Sequence, residues 1–213
     1  MAKEKLIIFD LDGTIHDSSA GISYCFRKTG ETYGITSITD EKIKGGLTGP
    51  FDENIAYVLD LEPEEVPEAI DRYAKFFIEE GRDMARMFPD TKDTLKELRN
   101  RGYMIGLATM MEQNFAVEIL QNYEIYDLFD SVNGASFTIP LSKYDLIMRC
   151  IESLNVRPDE AVMVGEGPDD RNSAVKAGVR FIGARYGYGM PESYCKENNI
   201  EGIDRPSDLL KLF

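Results

Sequence analysis

The chain has one histidine, His16, no tryptophan, and three widely spaced cysteines, Cys25, Cys150 and Cys195. A single histidine leaves a cysteine or serine nucleophile short of its usual base, so Cys-His and Ser-His chemistry are poor explanations. Three scattered cysteines without a C-x-x-C pair read as idle thiols of a reducing cytoplasm. No apolar run approaches the length of a membrane span. Met1 to Lys5 is charged, and the apolar run after it is too short for a signal-peptide core, so a cytoplasmic location is expected. Basic residues are also scarce: 24 Lys and Arg stand against 38 Asp and Glu, a net charge of −14. That balance argues against nucleic acid or an anionic membrane as the partner. An anionic substrate would need local Lys, Arg or metal charge. A monomer or a homodimer is expected.

What is present is a folded chain's composition, 43% apolar and 29% charged,. Its 213 residues allow a main domain and a smaller one,. Leu6 to Phe9 read as a buried parallel strand. Asp10 and Asp12 follow at its end, and Gly13 breaks it. Two carboxylates this close repel, which calls for a cation between them or a proton on one. A hard divalent ion such as Mg²⁺ meets that need. Taken alone, D-x-D-G is equally an ordinary turn.

Residues 17 to 87 show helical spacing in Ile22, Phe26 and Thr29, in Ile55, Val58 and Leu59, and in Ile70, Tyr73, Phe76 and Phe77. They read as a small helical insertion, interrupted at Gly45, Gly46, Gly49 and Pro50. Beyond Phe88, helices and strands alternate. Helices are expected over Thr91–Arg101, Gln113–Tyr123, Ser142–Leu154, Asp170–Ala177 and Pro206–Phe213. Strands are expected over Tyr103–Ala108, Phe129–Asn133, Ala161–Val164 and Val179–Gly183. This alternation predicts an α/β fold, a Rossmann-like parallel sheet with helices on both faces and a small all-helical cap. The expected domains are 1–16 with 88–213, and 17–87.

In a parallel sheet the strand ends share one edge, where ligands bind. That edge collects Asp10 and Asp12, then Thr109, then Glu166, Asp169 and Asp170. Lys143 begins the helix before the last of these strands. Carboxylates, a hydroxyl and an ammonium together suit metal-assisted phosphoryl chemistry. Each has an ordinary explanation as well: a strand-end threonine, a solvated lysine, an acidic helix start. His16 stands four residues after Asp12, within reach of the site, though such a histidine is more often packing or loop surface.

D-L-D-G-T-I-H-D-S at 10–18, M-I-G-L-A-T at 104–109, S-K-Y-D-L-I-M-R at 142–149 and M-V-G-E-G-P-D-D at 163–170 come in order, each in the right strand context. By these motifs the chain resembles the haloacid dehalogenase-like hydrolases, in particular the capped branch of phosphoglycolate phosphatase-like enzymes. G-L-T-G-P-F and R-Y-G-Y-G-M resemble that branch too. The resemblance implies a Mg²⁺-dependent phosphatase acting on a small phosphorylated metabolite. Asp10 would be the nucleophile, Asp12 the acid and base, Thr109 a phosphoryl hydrogen-bond donor and Lys143 the charge balance. Asp10, Asp12, Glu166 and Asp170 would hold Mg²⁺. Gly13, Thr14 and Met110 would bind the phosphoryl group, and Lys44 and Gly49 the leaving group.

Two positions depart from the family's pattern. Glu166 stands where aspartate is usual, moving its oxygens by about a bond length, and Mg²⁺ tolerates distorted octahedra poorly. Met110 and Met111 stand where small or polar residues are usual. A sugar phosphomutase shares Asp10 and Asp12, and a weakly active regulatory metal-binding protein is the reading that Glu166 favours. A dehalogenase needs no acid at Asp12.

Overall fold

The computed structural model describes residues 4–136 and 138–213. Met1, Ala2, Lys3 and Phe137 lie outside the described residues. In chain order the elements are β1 (Leu6–Phe9), β2 (His16–Asp17), α1 (Ser19–Thr32), α2 (Asp40–Gly45), α3 (Phe51–Leu59), α4 (Val66–Glu79), β3 (Arg86–Met87), α5 (Thr91–Asn100), β4 (Met104–Glu112), α6 (Gln113–Asn122), β5 (Ser131–Ala135), α7 (Lys143–Ser153), β6 (Ala161–Gly165), α8 (Pro168–Ala177), β7 (Arg180–Ala184), α9 (Glu192–Glu197) and β8 (Gly202–Ile203). The chain divides into two compact units, Met1–His16 with Met87–Phe213, and Asp17–Arg86.

The first unit is built on a six-stranded sheet of order β5-β4-β1-β6-β7-β8. Its pairs are parallel. β1 is central because all four of its residues are apolar and fully buried, and each such side chain contributes about 1.5–3 kcal/mol on burial. Alternation along the strand splits them between two layers. Ile7 and Phe9 pack with Leu95, Leu98, Ala116 and Leu120 of α5 and α6. Leu6 and Ile8 pack with Leu146, Ile147, Cys150 and Ala174 of α7 and α8. Phe9 registers with Leu107 of β4 on one side and Val164 of β6 on the other. The ends of β4 and β6 therefore flank the end of β1. The chain reverses its direction of winding at β1, the place where open α/β sheets bind ligands.

The second unit is all-helical, with α1 to α4 around Phe26, Ile55, Val58, Leu59, Ala69 and Tyr73. Phe26 and Tyr73 face each other with ring centroids 5.2 Å apart. The insertion's expected apolar face is this core, and Thr29 is buried with it.

Several elements differ from the sequence reading. β4 continues past Thr109 to Glu112, with a register shift against β5 after Thr109 that lets Met110 face outward,. β5 starts at Ser131 rather than Phe129, because a 3₁₀ turn over Tyr126–Leu128 uses the residues before it. The closing helix expected over Pro206–Phe213 is a 3₁₀ helix over Pro206–Lys211, anchored by buried Pro206 and Leu209,. α9 and β8 were not expected; six and two residues are too short to show a period,.

Candidate active site

Asp10 immediately follows β1, and its N–H donates to Val164 O at 3.0 Å, continuing the ladder by one residue. The residue is 7% exposed. The chain then winds tightly: Leu11 O accepts from the N–H groups of Thr14, Ile15 and His16 at 3.2, 2.8 and 3.2 Å. Gly13 closes the turn at φ +70°, where glycine is the easy residue,. A Cβ there would lie 2.7 Å from Glu166 Cγ. The side chain of Asp12 is 30% exposed.

Lys143 is the first residue of α7, an unfavourable place for a cation at the positive end of a helix,. Its ammonium is buried and fully engaged. It donates to Asp10 Oδ1 at 2.6 Å and to Ala108 O at 3.1 Å, and lies 2.9 Å from Asp170 Oδ1. Burial alone would lower the lysine's pKa, but the charges of Asp10 and Asp170 outweigh it and raise it. Burial likewise pushes the Asp10 pKa well up; the Lys143 charge opposes this, while Asp170 and Asp12 add to the rise,. Ser142 caps α7 by accepting from Asp145 N, and Asp145 accepts from Ser142 N in return,. That capping box fixes where the helix starts, and so where Lys143 stands.

At the end of β6, Gly165 has no room for a Cβ, which would lie 2.5 Å from Asp170 Cγ. Asp170 Oδ2 accepts from the N–H groups of Glu166 and Gly167 at 3.1 and 3.0 Å. Asp169 is exposed. Glu166 does not reach toward Lys143. Its Oε2 accepts from the N–H groups of Tyr188 and Gly189 at 2.9 and 2.7 Å. Burial, then the charges of Asp170 and Asp10, raise the Glu166 pKa to about 8, against the two amide donors. The extra methylene that sets glutamate apart from aspartate carries the carboxylate to the Y-G-Y-G loop. The sequence showed that loop only as part of a resemblance.

Thr109 is buried, and its Oγ1 accepts from Met111 N at 3.1 Å. Met110 is 49% exposed. Thr14 is buried; Tyr186 Oη donates to its carbonyl at 3.0 Å, and its Oγ1 has no partner among the described residues. Lys44 and Gly49 belong to the helical unit, where both are exposed. Ion pairs join Asp10, Lys143 and Asp170 directly, and charge joins Glu166 to that group.

His16 is the residue the sequence weighed as packing or surface. It is 1% exposed, and its Nε2 lies 2.9 Å from Asp12 Oδ1. Its Nδ1 lies 3.2 Å from Tyr123 Oη. The four-residue spacing was legible, but nothing local indicated Tyr123.

Two of the site's carboxylates, Asp10 and Asp170, meet the Lys143 ammonium; burial first, with neighbouring carboxylate charge adding to it, lifts Asp10 and Glu166. An oxygen-only, over-negative donor set fits a hard divalent cation. As they stand, the carboxylates of the site are engaged by Lys143, by backbone amides and, for Asp12, by His16. Among the described residues no group of three or more His, Cys, Asp or Glu is arranged to hold a metal ion. Among the described residues no helix is long and apolar enough to cross a membrane.

A parallel sheet with a buried aspartate-lysine-aspartate cluster at its central strand end defines a class of hydrolase, and the family model of the haloacid dehalogenase-like hydrolases matches residues 7–184. The chain belongs to that family. It is 28% identical over 197 residues to a phosphoglycolate phosphatase of Vibrio vulnificus, covering 88% of this chain and 86% of that one. It is 25% identical over 209 residues to a phosphoglycolate phosphatase of Aquifex aeolicus, covering 98% and 96%. Among solved structures, a haloacid dehalogenase-like family hydrolase from Streptococcus pneumoniae superposes with a TM-score of 0.90 at 27% identity, covering 99% and 98%.

Proposed function

We propose that the protein is a Mg²⁺-dependent phosphatase, a phosphoric monoester hydrolase that releases phosphate from a small phosphorylated metabolite through an aspartyl-phosphate. The observation that carries this reading is the Lys143 ammonium lying 2.6 Å from Asp10 and 2.9 Å from Asp170 at the end of the central strand. A carboxylate can attack an anionic phosphoryl group only where positive charge offsets both. Asp10 attacks phosphorus, a bond forms from its carboxylate oxygen, and the bond from phosphorus to the leaving oxygen breaks. Asp12 gives that oxygen its proton. Asp12 then takes a proton from water as the water oxygen attacks phosphorus, freeing Asp10 and inorganic phosphate. Thr109 Oγ1 donates to a phosphoryl oxygen, and Met110 N–H, Gly13 and Thr14 are the further groups assigned to the phosphoryl site. Asp10, Glu166 and Asp170, with Asp12 through its backbone carbonyl, would hold Mg²⁺, which supplies further charge neutralisation when bound.

The leaving group is phosphoglycolate-like or a nucleotide or sugar. Its selection is assigned to the helical unit, through Lys44 and Gly49. The cytoplasm is the proposed location. The test is purified protein with Mg²⁺ on an aryl phosphate and a panel of phosphorylated metabolites, beside Asp10→Asn. Phosphate release abolished by that variant supports the reading. Interconversion of sugar phosphates points to a mutase instead. Mg²⁺ binding without turnover of any substrate points to a regulatory protein.

A further inference from the structure

Asp12 poses a problem that Asp10 does not. Asp10 is buried against an ammonium, whereas the Asp12 side chain is 30% exposed at the edge of a tight turn. A general acid that hands its proton to one leaving oxygen must present that proton in one direction. One contact that orients it comes from the chain's single histidine. We propose that His16 and Tyr123 are positioning residues that decide which oxygen of Asp12 carries the transferable proton. The proposal rests on the phosphatase reading above.

An ionised carboxylate only accepts, so His16 Nε2 carries its hydrogen and donates to Asp12 Oδ1 at 2.9 Å,. On the other side of the ring, Nδ1 lies 3.2 Å from the Tyr123 hydroxyl. Tyr123 closes α6, which packs its Ala116 and Leu120 into the core. The two rings meet edge to face, with centroids 5.9 Å apart. His16 itself is fixed at its backbone, where its O accepts from Gly13 N at 2.8 Å. A helix end packed into the core thus orients a buried ring, and the ring holds one oxygen of the partly exposed carboxylate. With Oδ1 accepting from His16, the proton that moves sits on Oδ2. It passes to the leaving oxygen as that oxygen parts from phosphorus, and water restores it in the second step. Second-sphere partners act in this way on metal-bound histidines, fixing tautomer and orientation. The plainer explanation is a core histidine whose polar atoms are merely satisfied.

The two explanations separate by leaving group. Protonation matters greatly for an alkoxide and little for p-nitrophenolate. Measured as kcat/KM, His16→Asn is expected to lower turnover of an alkyl phosphate about tenfold or more, a part of the usual general-acid effect. It is expected to leave p-nitrophenyl phosphate within about threefold. His16→Gln, whose amide N–H can stand near the Nε2 position, is expected to recover most of the loss. Tyr123→Phe, which removes one hydroxyl, is expected to show the same contrast at smaller size, and carries the test if His16→Asn fails to fold. An equal fall on both substrates, or no fall, overturns the proposal while the phosphatase reading stands. If the wild type turns over no monoester, or Asp10→Asn keeps the activity, that reading fails and the proposal with it.

Discussion

At the scale of single residues, the site is governed by one buried positive charge among acids. Removing one partner of a buried ionic group leaves the other uncompensated. Lys143→Ala is expected to cost about 3–5 kcal/mol in urea unfolding near neutral pH; a cost under about 1 kcal/mol would contradict this account. Glu166 gives a prediction whose sign can be worked out. Its carboxyl pKa rises from 4.5 unfolded to about 8 folded, so the folded state holds the proton more tightly. Stability from this group is full at low pH and is lost as pH rises from about 4.5 to about 8. Asp10 shifts in the same direction. Metal-free protein should therefore show a falling Tm from pH 5 to pH 8, a shallower fall in Glu166→Gln, and recovery on adding Mg²⁺ at pH 8. A metal-free Tm that stays level or climbs over that range would refute it.

At the scale of elements, the charged residues are placed by where strands stop and helices start. The capping box at Ser142 sets the first turn of α7, and Ser142→Ala is expected to cost about 1 kcal/mol by thermal unfolding. The β6-to-α8 junction is less forgiving. A methyl group at Gly165 would stand 2.5 Å from Asp170 Cγ, so Gly165→Ala must displace that carboxylate. Phosphatase activity should fall at least about tenfold in this variant while most of the fold survives, since one displaced charge is a local change; activity near wild type would exclude the placement. The elements themselves were largely legible. Leu6–Phe9 and Ala161–Val164 are unbroken apolar runs, and such runs belong to strands buried on both faces. β8 and α9 were not, because they are held by partners such as Ala184 and by buried Cys195 rather than by a repeating pattern.

At the scale of the whole molecule, each of the two units has its own core. The helical unit is organised around Tyr73, whose ring meets those of Phe26, Phe51 and Phe77. Tyr73→Ala is expected to remove about 3–5 kcal/mol from that unit, as aromatic truncations do. Hydrogen exchange should then show protection lost over residues 17–86 while β1 and β6 amides keep theirs. Equal loss in both units would mean that they unfold together.

The sequence by itself determined the α/β class, the helical insertion and the two aspartates at a strand end. Burial and backbone pairing are written locally, as apolar runs and as periods of two and 3.6. It also marked Glu166 as the departure from the family's pattern. Only the tertiary structure decided what the marked residues do to one another. Asp10 and Lys143 stand 133 positions apart, and His16 and Tyr123 stand 107 apart. Neither pair has a local signal, because each forms only where separate strands and helices end on one edge of the sheet. Glu166 is the clearest case: one added methylene was visible in the sequence, but its capture by the amides of Tyr188 and Gly189 depends on where a distant loop comes to rest.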